Sequence, residues 1–177
     1  VRRSTREADG ARAPDSRVEC RVENGDMGSA WRPALGLVTG NFVALIDEDD
    51  KIEPWALQLV AGARARNPDA VLLYSDEDKI DEQGRRYLPY FKPDWNPDLL
   101  TSQNYVSHLG VYRRSLLSEI GGFRLGYEGS QDYDLALRAT ERLQPQQISH
   151  IPRILYHWRA VPGDTARGSD STPHASV

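Results

Sequence analysis

The sequence has little cysteine, no long apolar run and no excess of basic residues, and each absence excludes a class of protein. A single cysteine, Cys20, cannot form an internal disulfide framework and is typical of a reducing compartment. No apolar run approaches the roughly 18 residues that a membrane-spanning helix needs. The net charge of -4 argues against nucleic acid as the main partner. Any membrane contact is therefore expected to be peripheral or made through a partner.

What is present is enough chain for one domain with a core. The 177 residues include 39% apolar and 27% charged residues, which is typical of a globular protein. Residues 1–17 lack an apolar stripe and are predicted to be a poorly ordered lead-in or a remnant helix. Residues 18–160 are predicted to form the folded domain. Residues 161–177, rich in Gly, Asp, Ser, Thr and Pro, are predicted to be a flexible tail.

The most informative stretch is residues 41–50. Five apolar residues, 42–46, lead directly into four acids, 47–50. The apolar run has no period-two alternation, which predicts a strand buried on both faces, as in a parallel sheet. Open α/β sheets bind ligands at the carboxyl ends of their strands, and clustered carboxylates there need a cation or solvent. Asp47 and Asp49 are therefore candidate ligands for a divalent metal that holds a diphosphate.

Other interpretations of these acids stay open on the sequence alone. They could form a solvated acidic turn. An EF-hand does not fit, because its loop needs Gly at the sixth position, where Ile52 or Asp81 stands. Phosphatases of the haloacid-dehalogenase type also begin with Asp-x-Asp after an apolar strand. Asp47 would then be a nucleophile in a phosphotransferase, but Lys51 stands where Thr or Val is expected.

A helix and a second strand are predicted to follow. Residues 54–67 predict a helix with an apolar face, and residues 71–74 predict a short strand. Strand, helix and strand in this order predict a right-handed parallel crossover. The second strand is expected to end in acids, of which Asp76 either lines the same cleft or caps a turn. Residues 87–100 interleave prolines with aromatic residues and predict a structured loop that is neither a helix nor a central strand.

Two later segments carry further candidate residues. A helix is predicted over residues 132–143, and Asp132 stands where it begins, so the helix dipole keeps its carboxylate ionised. Such a carboxylate can take a proton from a sugar hydroxyl, or it can simply cap the helix. A strand is predicted over residues 148–158, at whose end His157 could bind a metal and Arg159 a phosphate. The role of His157 depends on its facing the acids around Asp47.

Several motifs, taken in this order, resemble family 2 glycosyltransferases of the GT-A fold. The closest similarity is to bacterial, rhamnosyltransferase-like members that build O-antigen and other surface polysaccharides. The fold that this resemblance implies is α/β, with a mostly parallel central sheet flanked by helices. The motifs that carry the resemblance lie at residues 39–50, 73–79, 89–100, 129–135, 150–153 and 156–159.

The resemblance implies a role for each candidate residue. Asp47 and Asp49 are expected to bind Mg²⁺ or Mn²⁺ together with the donor diphosphate, and Asp132 is expected to be the catalytic base. His157 is expected to be a third metal or diphosphate ligand. The remaining candidates are grouped by ligand: Asp76 and Arg159 for the donor, and Tyr90, Trp95 and Gln131 for the acceptor.

The implied activity is metal-dependent, inverting transfer of a sugar from a nucleotide-diphosphate donor to a saccharide or lipid-linked saccharide acceptor. The resemblance also implies a location in the cytoplasm or at the cytoplasmic face of the inner membrane. The first strand, helix and strand of the family, which hold the nucleobase, are expected to be missing, so that one sheet edge is exposed. A non-catalytic sugar-nucleotide-binding module therefore remains an alternative.

Overall fold

The computed structural model describes residues 35–127 and 129–159. These residues form a six-stranded sheet with helices on both faces. The predicted domain boundaries at residues 17 and 160 lie outside the described ranges. The elements, numbered along the chain, are β1 (Phe42–Ala44), β2 (Lys51–Ile52), α1 (Ala56–Arg66), β3 (Leu72–Ile80), β4 (Arg86–Tyr90), α2 (Pro97–Ser102), β5 (Gly110–Arg113), α3 (Arg114–Ile120), α4 (Gln131–Thr140), a 3₁₀ turn (Pro145–Gln147) and β6 (Ile148–Arg159).

The sheet has the strand order β1-β5-β3-β6-β2, and β4 also pairs with β3. Its β3–β6 pair is parallel, and the other four pairs are antiparallel. The described sheet is thus mixed rather than mostly parallel. The predicted crossover joins two strands, β1 and β3, that point the same way. They are not neighbours, because β5 lies antiparallel between them.

Two apolar clusters lie on opposite faces of the sheet. One joins Leu72 and Tyr74 of β3 to the buried faces of α2, α3 and α4. The other joins Leu73 of β3 and Leu155 of β6 to the alanines of α1. Alternate residues of β3 therefore serve different clusters, as the two-residue period of a strand requires. The helices on both faces bury the centre of the sheet and leave its strand ends for the site.

The first strand is shorter than its apolar run. Val43 is buried, whereas Ile46 is 45% exposed and lies beyond the end of β1. Within the described ranges β1 pairs with β5 alone, so its other edge has no neighbour there. No described helix has the length and apolarity needed to cross a bilayer.

Two segments differ from their sequence-based prediction. Strand β3 does not end before the acids but continues through Asp76 and Asp78, which are buried within it. The predicted loop over residues 87–100 contains the edge strand β4 and the short helix α2. The helix begins at Asn96-Pro97, where the Asn96 side chain accepts a hydrogen bond from Leu99 N over 2.9 Å. Asparagine at the cap followed by proline is a helix-start signal that the interleaved aromatics obscure.

Candidate active site

The acidic loop between β1 and β2 is fixed onto the end of β6. Asp50 Oδ2 accepts a hydrogen bond from the Tyr156 hydroxyl over 2.5 Å, and Asp50 Oδ1 accepts one from Arg159 N over 2.7 Å. The same Tyr156 hydroxyl accepts a bond from Asp47 N over 3.1 Å. Arg159 Nε donates to the Asp49 carbonyl over 2.8 Å. Asp50 is thus the anchor of the loop, and Arg159 lies beside the loop, while its predicted contact with the donor stays a prediction.

Asp47 and Asp132 converge on the ring of His108. The Asp47 Oδ2 atom lies 3.7 Å from His108 Nε2, and the Asp132 Oδ2 atom lies 3.5 Å from the same nitrogen. Asp132 is the second residue of α4, so the helix aims its first turn at the loop that follows β1. The Asp47 side chain is 49% exposed and that of Asp132 is 26% exposed, whereas the His108 ring is buried. Two solvent-accessible carboxylates therefore share one cleft above a buried imidazole.

The electrostatics of this cleft leave negative charge incompletely compensated. Burial raises the pKa of Asp47, and the neighbouring carboxylates of Asp132, Asp50 and Asp49 raise it further, while His108 lowers it. Burial lowers the pKa of His108, but the hydrogen bond and charge of Asp132, with the charge of Asp47, outweigh burial and raise it overall. A cation at this position would relieve the repulsion among the carboxylates.

The donor atoms of the acidic loop fit a hard divalent cation in part. Within the described ranges no group of three or more His, Cys, Asp or Glu side chains is arranged to hold a metal ion. Asp47 and Asp49 supply carboxylate oxygens, the type of ligand that Mg²⁺ prefers. Burial is the main cause of the raised pKa of Asp47 and the neighbouring carboxylates add to it, so a cation beside Asp47 would favour its ionised form. Two carboxylates, with water and phosphate oxygens in the other positions, are the ligand set that this loop can offer.

His157 does not join the cleft, which corrects its predicted role as a metal or diphosphate ligand. Its Nδ1 atom lies 2.5 Å from Asp78 Oδ1, and its Nε2 atom lies 3.4 Å from Glu53 Oε1. The acids are also bound by Arg86. Successive side chains of a strand point to opposite faces, so Tyr156 faces the acidic loop and His157 faces away from it. His157 belongs to a buried ionic cluster between β3, β4 and β6.

Asp76 is also paired away from the acidic loop. Its Oδ1 atom accepts a hydrogen bond from Lys92 N over 2.9 Å and lies 2.9 Å from His150 Nε2. The other ring nitrogen of His150 lies 3.1 Å from Asp94, whose side chain is 95% exposed. These contacts engage Asp76 in joining β3 to β6 and to the chain after β4. Its predicted contact with the donor stays a prediction.

The three predicted acceptor residues differ in how free their side chains are. Tyr90 and Trp95 pack against the apolar cluster, and the Tyr90 hydroxyl accepts a hydrogen bond from Gln103 over 3.1 Å. Gln131 precedes Asp132, and its Oε1 atom is buried without a hydrogen-bond partner in the described part of the chain. Gln131 therefore has an acceptor available for a ligand hydroxyl. All three roles stay predictions.

His108 and Lys92 are the residues that sequence reasoning missed. His108 stands between Ser107 and Leu109, where a single histidine carries no motif. Lys92 lies between an aromatic residue and proline, in a segment predicted to be a surface loop. Its Nζ atom is nevertheless fully buried and donates to Glu77, to Val106 O and to His108 O. No local sequence motif indicated either residue, because their contacts lie 14 or more positions away along the chain.

Comparison with known proteins places this geometry in a family context. No family model matches the sequence. An uncharacterized protein of Sinorhizobium fredii, y4gI, is 48% identical over 166 residues, which are 94% of this chain and 18% of that protein. The O-antigen biosynthesis protein RfbC of Myxococcus xanthus is 41% identical over 164 residues, or 91% of this chain and 13% of that protein. The chain thus spans less than a fifth of the length of either relative.

Solved structures share the fold. The S. aureus protein TarS, residues 1–349 in complex with UDP-GlcNAc, superposes with a TM-score of 0.61 at 19% identity. The match covers 89% of this chain and 44% of that one. The fold is that of the GT-A glycosyltransferases, as the sequence predicted. At 19% identity the likeness to TarS shows the fold, and the two relatives resemble this chain over a small part of their own length.

Proposed function

We propose that the protein transfers a sugar, with inversion, from a nucleotide-diphosphate donor to a saccharide or lipid-linked saccharide acceptor in bacterial surface polysaccharide synthesis. The convergence of Asp47 and Asp132 on one cleft carries this proposal. RfbC is named as an O-antigen biosynthesis protein, which supports the polysaccharide product. The UDP-GlcNAc bound to TarS supports a nucleotide-sugar donor. We propose that the reaction takes place in the cytoplasm or at the cytoplasmic face of the inner membrane.

The proposed reaction is a single displacement at the anomeric carbon. The acceptor hydroxyl oxygen forms a bond to that carbon, and the bond from carbon to the diphosphate oxygen breaks, so the nucleoside diphosphate leaves with the electron pair. Asp132 takes the hydroxyl proton, which the partial exposure of its carboxylate at the cleft permits. Attack from the face opposite the leaving group inverts the anomeric configuration.

The acidic loop is proposed to hold the diphosphate end of the donor. Arg159, which binds the Asp49 carbonyl through Nε, keeps its terminal guanidinium nitrogens for phosphate oxygens. A Mg²⁺ or Mn²⁺ ion held by Asp47 and Asp49 would neutralise the charge that develops on the leaving diphosphate. His157 has no part in this arrangement, because both of its ring nitrogens face acids on the other side of β6.

The test separates the base from the donor-binding acids. Asp132→Asn is expected to lower kcat by about 10²-fold or more and to change the Kd for UDP much less, because it removes the proton acceptor while Asp47 and Asp49 remain. Asp49→Ala is expected to weaken UDP binding in the presence of Mn²⁺ by about tenfold. Asp69→Asn, which changes an exposed aspartate at the end of α1, is the matched control and should alter neither quantity.

Turnover would be measured as nucleotide release from UDP, dTDP and GDP sugars, and affinity by calorimetry with the free nucleotides. Nucleotide binding without turnover of any matching sugar would favour a non-catalytic binding module. An Asp132→Asn variant as fast as the wild type would contradict the assignment of the base. A phosphoenzyme formed on Asp47 would instead identify a phosphotransferase.

A further inference from the structure

His108 lies beneath the cleft and is not a reactant in the proposed transfer. We infer that His108 is a positioning residue, which fixes the separation of Asp132 and Asp47 through a proton on its Nε2 atom. This inference rests on the proposed function, because it concerns the same two carboxylates. Three features of His108 support it: the contacts of the ring, the hydrogen bonds to the backbone and the surroundings of the second ring nitrogen.

The ring of His108 is held on two sides. It stacks on the Tyr156 ring, with centroids 4.7 Å apart and planes 16° apart. The Trp158 ring meets it edge-on at 5.3 Å and 62°. Because the ring is also buried, it has little freedom to rotate out of this slot. Its Nε2 atom is therefore a fixed point, 3.5 Å from one carboxylate and 3.7 Å from the other.

The backbone of His108 is fixed by a buried ion pair. Lys92 Nζ donates to the His108 carbonyl over 2.5 Å and to Glu77 Oε2 over 2.8 Å. The same Glu77 oxygen accepts a bond from His108 N over 3.3 Å. Lys92 and Glu77 thus hold both the amide and the carbonyl of the residue. This support joins His108 to β3, so the position of the imidazole is set by the centre of the sheet.

The surroundings of the ring assign a proton to Nε2. The Nδ1 atom is buried and has no hydrogen-bond partner among the residues that the structure describes. Nδ1 lacks a partner in either neutral tautomer, so the choice is decided at Nε2, where a ring protonated at Nδ1 would turn a lone pair toward two carboxylates, which is unfavourable. A proton on Nε2 instead points between Asp47 and Asp132. This holds for the neutral ring and for the imidazolium alike.

A donor between two carboxylates sets their spacing before substrate arrives. Without it, the two like charges would repel and move apart or toward solvent. A displacement of about 1 Å at a catalytic group can lower the rate by about 10²-fold. The magnitude expected for loss of the Nε2 donor is therefore close to that for loss of the base itself. Rigid support from below is what a precisely placed base requires.

The kinetic test compares three replacements of His108 in the full chain. His108→Gln can place an amide donor near the former Nε2 position, whereas the shorter His108→Asn cannot, and His108→Phe keeps the ring without a donor. We expect kcat to fall by about 10²-fold for the Asn and Phe variants and by less than about tenfold for Gln. The KM for the donor should change less than kcat. A role in packing alone would predict that Phe is tolerated best.

A second measurement does not need turnover. The imidazole nitrogens of the four histidines can be observed by nitrogen-15 NMR, and His108→Gln identifies the signal that belongs to His108. We expect its Nε2 atom to carry a proton, and we expect the signal to shift in Asp132→Asn but not in the control Asp69→Asn. An Nε2 atom without a proton would overturn the inference.

The outcomes for His108 and for the proposed function are distinguishable. If the wild type turns over a donor, Asp132→Asn does not, and His108→Phe remains as active as the wild type, the positioning role is wrong and the glycosyltransferase proposal stands. If the wild type neither binds nor turns over any sugar nucleotide, the proposed function fails. The nitrogen spectrum then still decides whether Nε2 directs a proton at Asp132.

Discussion

Removing the Tyr156 hydroxyl should release the acidic loop without disturbing the core. The hydroxyl donates to the Asp50 carboxylate over 2.5 Å and accepts from Asp47 N over 3.1 Å. Burial and the hydrogen bond to Asp50 raise the pKa of Tyr156, so the group is a protonated donor at neutral pH. Tyr156→Phe retains the ring that stacks on His108 and deletes two of the bonds that hold the loop, while the two bonds from Arg159 remain.

The magnitude follows from the two bonds. A hydrogen bond to a charged group contributes about 1.5–3 kcal/mol and a neutral one about 0.5–1.5 kcal/mol. Asp50 retains a second donor, Arg159 N, and the loop is partly exposed, so water replaces part of what is lost. We therefore expect Tyr156→Phe to lower the free energy of unfolding by about 2 kcal/mol. The matched control, Tyr74→Phe, loses one bond to the Pro93 carbonyl and should cost about 1 kcal/mol.

The loss should depend on pH in a defined direction. Burial raises the pKa of Asp50 above its ordinary value, although bonds from Arg159 and Tyr156 act against burial. The bond to Tyr156 is strongest when Asp50 is ionised. Loss of that bond raises the pKa of Asp50 further in the variant, so the stability difference is complete above the variant's pKa and shrinks as the pH falls from there toward the wild-type pKa. Tyr74→Phe, whose partner is a carbonyl, should show no such change.

Urea unfolding of the full chain at several pH values measures the stability difference, and calorimetry with UDP and Mn²⁺ measures the function of the loop. We expect Tyr156→Phe to weaken UDP binding by about fivefold, while Tyr74→Phe leaves it unchanged. A double-mutant cycle with Asp50→Asn should give a coupling of about 1–2 kcal/mol. Equal losses of stability in the two tyrosine variants, with equal UDP affinity, would refute the assignment of Tyr156 as the anchor.

Two further predictions concern buried charges. Lys92→Met should lower the free energy of unfolding by about 3–5 kcal/mol, because it leaves Glu77 without its ion-pair partner. The exposed control Lys51→Met should cost less than about 0.5 kcal/mol, as measured by urea unfolding. Similar losses in the two variants would contradict the contacts of Lys92. Burial raises the pKa of Asp134, but hydrogen bonds from two arginines outweigh burial and lower this pKa below its ordinary value of 3.8. The stability that Asp134 contributes to the fold is therefore complete above pH 3.8 and is lost as the pH falls through the lowered pKa. Asp134→Asn should therefore cost about 2–3 kcal/mol at pH 7 and far less near pH 2, and a cost that does not change with pH would contradict the ion pair.

The sequence predicted the elements with strong local signals. The helix predicted over residues 54–67 is α1, and the strand predicted over residues 148–158 is β6, within one or two residues at most ends. The order and direction of the strands within the sheet were harder to predict from the sequence. Strand β5 inserts between β1 and β3, and no local pattern of four residues specifies a neighbour about 40 or 70 positions away. Topology of this kind depends on long-range pairing, which periodicity does not record.

The placement of a candidate residue was predictable where it follows from the residue's own segment. Asp47 and Asp132 each stand at the end of an element that points into the cleft, and the sequence shows both ends. His157 shows the limit, because which face of a strand a residue occupies depends on register, and a shift of one residue reverses every side chain. In β6 this register places the Tyr156 side chain against the acidic loop and the His157 side chain against Asp78. The family motif contains both residues, and the register alone decides between them.

The acids of the cleft and the acids of β3 differ in their charge partners, and this difference supports a ligand-binding role for the cleft acids. The acids within β3 each have a close cationic or imidazole partner: Asp76 has His150, Glu77 has Lys92, and Asp78 has His157 and Arg86. These pairs join β3 to its neighbours, and the three acids themselves are buried or nearly so. The carboxylates of Asp47 and Asp132 instead share one imidazole, at longer distances and with more exposure.

This difference has a functional consequence. Acids that only stabilise the fold would be expected to have partners as close as those in β3, and a raised pKa such as that of Asp47 would then be lowered by them. The described residues offer Asp47 no such partner closer than His108, and we expect the missing positive charge to arrive with the donor. Wild-type affinity for UDP should accordingly rise steeply with Mn²⁺ or Mg²⁺, and Asp47→Asn should remove most of that rise. If the wild type and Asp47→Asn both bound UDP as tightly in the presence of a chelator as with the metal ion, the chain itself would neutralise the cleft.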